Sequence, residues 1–145
     1  MNESVYDKAV QLLSIRLHTT GELRRKLEQR GFENAEILPV LRKLEELGFL
    51  DDQRFAEIFT DNLKRYKDWG YYAVKAKLAA RLVPGETAEA ALAGFYTPDE
   101  ELAVAQRLYK KLSTQGRKTR EQIMRSLASK GFRSDTIRRI LSDSS

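Results

Sequence analysis

TTGELRRKLEQRGF (residues 19–32) and TREQIMRSLASKGF (residues 119–132) carry one pattern, one hundred residues apart. Each opens with a threonine three positions before a Glu or Gln, Thr19 with Glu22 and Thr119 with Gln122. That is the spacing of a capping box, in which the hydroxyl accepts from a free backbone N–H while the N3 side chain reaches back, so a helix is expected to start at each. Leu23 and Leu27, like Ile123 and Leu127, stand four apart on one helical face. Gly31 and Gly131 then fall where a helix ends in a left-handed residue, and Phe32 and Phe132 follow as the apolar half of a Schellman corner. Asn34 and Ser134 are the expected caps of a next helix, with Ile37, Val40 and Leu41 in one copy and Ile137, Ile140 and Leu141 in the other.

A shift of 51 uncovers a copy between them. Val74, Leu78, Arg81, Leu82, Val83, Leu92 and Phe95 lie opposite Leu23, Leu27, Arg30, Gly31, Phe32, Leu41 and Leu44. Here the Gly-Phe corner has become Leu-Val, followed by Pro84-Gly85. Each copy also has a helix upstream of it. The first spans roughly 4–16 with Val5, Ala9, Leu12 and Leu13 inward. The second spans roughly 52–66, capped by Asp51 or Asp52, with Phe55, Ile58, Phe59 and Leu63 inward. The third begins at Thr97-Pro98-Asp99-Glu100, where a threonine cap, a first-turn proline and an N3 glutamate coincide. Its inward set is Leu102, Ala105, Leu108 and Leu112.

The expected fold is therefore all-α: an elongated tandem array of three three-helix, helix-turn-helix-like repeats, about nine helices in all. The repeats are assigned to residues 1–50, 51–96 and 97–145. A unit of about 50 residues buries little surface by itself, so stacking on a neighbour is expected to complete each core. One corner geometry should serve all three, with Phe32 and Phe132 buried and Pro39 a local irregularity early in its helix.

Composition narrows the chemistry. The 145 residues contain no cysteine, which rules out disulfides and thiolate metal sites. No apolar run approaches the ~18 residues of a membrane span, and MNESVYDKAV lacks the pattern of a secretory signal, so a cytoplasmic monomer with no membrane contact is expected. The sole histidine, His18, sits beside a helix start and has no nucleophile or metal-binding partner at a recognisable spacing. Asp51-Asp52 suits a helix cap better than a cation. No enzyme activity and no cofactor are expected.

The net charge of +5 is concentrated at one end. Residues 1–50 and 51–98 are balanced at eight of each sign and seven of each sign, whereas 99–145 hold eleven basic against six acidic side chains. Two basic patches stand at matching places in the second and third units. The first is Lys64, Arg65, Lys67, Lys75, Lys77 and Arg81, interleaved with Trp69, Tyr71 and Tyr72. The second is Arg107, Lys110, Lys111, Arg117, Lys118, Arg120 and Arg125. Cations beside aromatic rings suit phosphate contact with base stacking, and binding to single-stranded DNA is expected to be weak, salt-dependent and tolerant of sequence. A duplex-reading helix-turn-helix in the third unit is the alternative.

GFLDDQRFAEIF (48–59), preceded by TTGELRRKLEQRGF (19–32), resembles the RecX family of recombination regulators. Glu22, Leu23, Lys26, Leu27, Gly31 and Phe32 match that family's first motif, and Gly48, Leu50, Asp51, Asp52, Arg54, Phe55 and Ala56 match its Asp-Asp-x-Arg-Phe-Ala segment. The likeness spans essentially the whole chain. It departs in the middle, where Arg81-Leu82-Val83 stands in place of a Lys-Gly-Ile/Val corner. The resemblance implies three tandem three-helix units. It also implies a cytoplasmic regulator that lodges on RecA recombinase filaments assembled on single-stranded DNA and inhibits ATP hydrolysis and strand exchange.

Overall fold

A computed structural model describes residues 4–116 and 118–143, residue 143 by its backbone alone. Among these residues there are nine α-helices and no strand. They fall into three triplets: α1 (Val5–Ile15), α2 (Thr20–Gln29) and α3 (Asn34–Glu46); α4 (Asp52–Tyr66), α5 (Tyr71–Ala80) and α6 (Gly85–Phe95); α7 (Pro98–Thr114), α8 (Arg120–Ser129) and α9 (Ser134–Asp143).

Four of the caps read from the sequence start the helices they were assigned to. Thr19, Thr97 and Thr119 each accept from the N3 backbone N–H, and the Glu or Gln at N3 reaches back in all three. Asp51 accepts from the Arg54 N–H at 3.0 Å. The corners share one geometry. The N–H of Phe32 bonds the carbonyl of Leu27, that of Val83 bonds Leu78, and that of Phe132 bonds Leu127, each the long bond of a Schellman motif. Gly31 and Gly131 take left-handed φ values of +91° and +87°. The middle corner holds Leu82 at φ +63°, a conformation that costs a side-chain-bearing residue about 1–2 kcal/mol.

Four expectations need correction. Asn34 is the first residue of α3 and does not cap it; its side chain instead accepts from Arg24 at 3.0 Å and ties α2 to α3, while the N-cap position falls to Glu33. Ser134 likewise lies inside α9. Phe32 is half-buried, unlike Phe132, because among the described residues no helix start packs on its corner as the start of α5 packs on Gly131 and Phe132. In the second unit Ile58 and Phe95 point outward, and Tyr96 fills the core in place of Phe95. Tyr96 is held there by a hydrogen bond from its hydroxyl to the Trp69 carbonyl, 2.6 Å. Pro39 sits inside α3 without ending it and forfeits the intrahelical N–H bond of its own position.

The apolar interior is divided unevenly. Val5, Ala9, Leu12, Leu23, Leu27, Ile37, Leu41, Leu44 and Leu50 form a core belonging to the first unit alone. From Ala56 through Val74, Leu78, Leu92, Leu108 and Leu127 to Ile140, a second core runs unbroken through units two and three. Units two and three are one packed body; unit one joins it through a different kind of contact.

Candidate nucleic-acid interface

The two joints between units follow one scheme. In each, the start of a unit's second helix meets the first turn and the corner of the next unit. At the first joint the Thr20 N–H donates to Asp52 Oδ1 at 2.8 Å, and the Thr19 hydroxyl, while capping α2, donates to the Arg81 carbonyl at 2.7 Å. At the second joint the Tyr71 N–H donates to Glu101 Oε2 at 2.7 Å, and the Gly70 N–H donates to the Lys130 carbonyl at 2.9 Å. Helix N–H groups that lack an intrahelical partner are thus satisfied by the neighbouring unit. Close approach also explains the glycines. A Cβ on Gly131 would lie 2.4 Å from the Ala73 nitrogen. At the first joint the small residue is on the other side: a Cβ on Gly21 would lie 2.9 Å from that of Leu82. The middle corner can carry a leucine because Gly21 makes room for it.

Charge locks both joints. Arg81 forks onto Glu22 at 2.7 and 3.3 Å and lies over Phe55 and Phe59, whose rings stack 5.4 Å apart. Burial by itself raises the Glu22 carboxyl, but the Arg81 and Thr19 hydrogen bonds outweigh it and hold that carboxyl below the usual range. At the second joint Glu101 is fully buried and accepts from Tyr71, from the Arg133 side chain at 2.8 Å, and from the Thr136 hydroxyl at 2.5 Å. Arg133 also covers the Tyr71 ring at 4.1 Å. Asp68 takes Arg107 at 2.8 Å and Lys111 at 2.6 Å, and although burial opposes it, those two donors hold its carboxyl below the ordinary range.

These locks sort the basic residues singled out from the sequence. Lys64, Arg81, Arg107 and Lys111 are spent on joints: Lys64 pairs with Glu100 and donates to the Phe95 carbonyl, and the others bind Glu22 or Asp68. Arg65 and Lys75 make exposed pairs with Asp61 at 3.1 Å and Glu89 at 3.3 Å. Arg120 donates to the Leu141 carbonyl at 2.5 Å. Lys67, Lys77, Lys110, Lys118 and Arg125 make no ion pair among the described residues; Lys118 touches only the Ser126 hydroxyl, at 3.4 Å. Arg117 lies outside the described residues.

Two of the free cations meet at the second joint. Lys77 of α5 and Lys130 at the end of α8 line a surface cavity of about 360 Å³ with Trp69, Ala73, Ala76 and Ser129. The Lys77 ammonium lies 5.6 Å from the centre of the Trp69 ring. A second cavity, of about 630 Å³, is lined by Arg120, Glu121, Met124, Arg125 and Leu141 at the start of α8. The two cavities involve opposite ends of α8, Arg120 to Arg125 at its start and Ser129 and Lys130 at its end. An aromatic plane beside two cations is chemistry that accepts a stacked base and its phosphates. Lys130 was missed in the sequence because its importance comes from Trp69, 61 residues away and in another unit. Glu101 gave no signal either, since in the sequence it reads as one of three first-turn acids of α7.

No described helix is long and apolar enough to cross a membrane, and no cluster of three or more His, Cys, Asp or Glu that could hold a metal ion occurs among the described residues.

Comparison with known proteins accords with the three-unit organisation. Models of the first, second and third three-helix domains of RecX match residues 6–44, 51–92 and 101–141 in turn. The regulatory protein RecX of Prosthecochloris aestuarii is 33% identical over 137 residues, which cover 94% of this chain and 91% of that protein. That of Chlorobium phaeobacteroides is 30% identical, with 97% and 93% covered. The crystal structure of RecX from Lactobacillus salivarius superposes with a TM-score of 0.89 at 26% identity, covering 96% of this chain and 93% of that one.

Proposed function

Because this chain belongs to the RecX family of regulatory proteins, we propose that it binds RecA recombinase filaments on single-stranded DNA and inhibits their ATP hydrolysis and strand exchange. In this reading it acts without catalysis or cofactor, as a cytoplasmic monomer laid along the filament. The observation that carries the nucleic-acid part is the pairing of Lys77 and Lys130 with Trp69 at a joint where Glu101 is fully buried. Cations that the fold leaves unneutralised are available to phosphate, and a rigid joint holds them at fixed spacing. An array that reaches more than one recombinase subunit would restrain the motions that accompany nucleotide turnover, so inhibition needs fewer regulator molecules than subunits.

The duplex-reading alternative has weaker support. The outer face of α9, which would enter a groove, carries Arg138 and Arg139, and these pair with Asp135 and Asp99.

The test is an ATPase titration of recombinase filaments from the same organism. Full-length protein should inhibit at substoichiometric ratios. Replacing Lys77, Arg125 and Lys130 with glutamate should weaken single-stranded DNA binding across all sequences and flatten its salt dependence. No inhibition at any ratio overturns the regulator reading, and a preference for one duplex sequence that survives high salt restores the alternative.

A further inference from the structure

Within the segment 48–59 the fold accounts for most side chains and leaves three unexplained. Leu50 and Ala56 are core, Asp51 caps α4, Asp52 completes the first joint, and Phe55 and Phe59 stack beneath Arg81. Phe49, Arg54 and Ile58 do none of these things. Phe49 is 60% exposed and Ile58 44% exposed, and Arg54 makes no ion pair among the described residues. All three line one cavity of about 210 Å³, together with Leu17, which is 64% exposed. A second cavity of about 310 Å³ adjoins it, sharing Leu17, Phe55 and Ile58 and bounded by Arg16 and Arg81. The residues come from three places in the chain: the α1–α2 link, the α3–α4 link and the outer face of α4.

The result is an apolar groove at the first joint with a cationic rim. Contiguous exposed apolar surface framed by charge marks a contact surface, because leaving it in water has a cost that folding does not recover. The carboxylate at this rim is already committed, since Asp51 is aimed at the α4 N-terminus. Glu22 takes Arg81 as its close partner and stands 3.7 Å from Arg16. The rim therefore keeps a surplus of guanidinium, chiefly at Arg54.

We propose that this groove is the docking site for a segment of the partner protein that carries apolar anchors and flanking carboxylates. An apolar side chain seats between Leu17, Phe49 and Ile58, and a carboxylate meets Arg54 in the two-pronged geometry that guanidinium favours. The assignment rests on the recombinase reading above and divides the surface: protein contact at the first joint, phosphate contact at the second.

The experiment measures two affinities for each full-length variant, one for DNA-free recombinase from the same organism and one for a single-stranded oligonucleotide. Leu17→Ser with Ile58→Ser, and separately Arg54→Glu, replace exposed side chains and should leave the melting temperature close to that of the wild type. Each should weaken recombinase binding about tenfold or more and leave oligonucleotide binding unchanged, whereas Lys77→Glu with Lys130→Glu should do the reverse. If recombinase binds wild type and the groove variants equally, the groove is wrongly assigned and the regulator reading survives. Loss of oligonucleotide binding in the groove variants assigns the groove to nucleic acid and overturns the proposal. So does a concentration-dependent dimer of the wild type that those variants abolish, which assigns it to a second copy of this chain. A wild-type chain that does not bind recombinase overturns both the groove assignment and the reading beneath it.

Discussion

The two joints use one plan and differ in what fills them. Each seats the start of a unit's second helix on a carboxylate and a corner carbonyl of the next unit. At the second joint the carboxylate, Glu101, is fully buried, and the apolar core passes straight through. At the first joint the corresponding Asp52 is only half-buried, the core stops, and an arginine over two stacked phenylalanines takes its place. A dry joint welds its neighbours into one cooperative body, while a wet joint lets each neighbour keep its own stability. The wet joint is also the one with an open groove. Exposed apolar surface and partial independence have the same origin, the absence of a continuous core.

The strongest attempt to break this contrast is Glu101→Ala. It leaves Arg133 and the Tyr71 N–H without their buried acceptor, and removing one partner of a buried ion pair costs about 3–5 kcal/mol. Chemical denaturation followed by hydrogen exchange should show units two and three losing protection together, with unit one unchanged. If all three units lose protection equally, the joints do not differ as described.

Phe132 and Phe32 sharpen the comparison. Phe132 is 3% exposed and packs into the shared core, so Phe132→Ala should cost about 3–5 kcal/mol. Phe32 is half-buried, and Phe32→Ala should cost roughly 1–2 kcal/mol because less surface leaves water there on folding. Equal losses in thermal melts would contradict the idea that the start of α5, packed on the Gly131–Phe132 corner, is what buries Phe132 more deeply than Phe32.

A smaller effect is expected at the wet joint. Glu22→Ala removes the Arg81 fork from a partly solvated site, and about 1.5 kcal/mol is expected, the lower end for hydrogen bonds to a charged group. The loss should appear as easier separation of unit one, read as faster proteolysis between residues 46 and 52. Unfolding of units two and three at an unchanged denaturant midpoint completes the expectation.

The smallest effect depends on pH. His18, the sole histidine, is buried in unit one, where its Nε2 lies 2.7 Å from the Lys26 ammonium and its Nδ1 2.9 Å from the Arg16 carbonyl. Burial above all, with Lys26 adding to it, holds the ring's pKa below its ordinary 6.5. The unfolded chain therefore binds the proton more readily than the folded one. The stabilisation is complete above pH 6.5 and is lost as pH falls toward and through the depressed folded value. Between pH 7.5 and 5.5 unit one should lose stability while Asp68 at the second joint, held below the ordinary carboxyl range, stays ionised. His18→Gln should flatten that slope, and an equal slope in wild type and variant would remove His18 as its cause.

The repeat, the helices, the caps at Thr19, Asp51, Thr97 and Thr119 and the Schellman corners were legible in the sequence because each is set by residues within a few positions of one another. Thr19 finds Glu22, and Gly31 follows Leu27, whatever surrounds them. Asn34 shows the limit of that reading: a residue able to cap was claimed by Arg24 across the turn. The basic excess was legible as a total but not in its distribution. Lys64, Arg107 and Lys111 look like their neighbours in sequence, and only the carboxylates brought against them across a joint decide that they serve the fold.

By itself, then, the sequence determined the units and the family, since local hydrogen bonding and helical periodicity are properties of short stretches of chain. Tertiary structure alone decided which units share a core, which cations stay free, and that Phe49, Arg54 and Ile58 face solvent beside Leu17. Those outcomes depend on which surfaces exclude water from one another. Water exclusion is settled between residues tens of positions apart, where no spacing in the sequence records it.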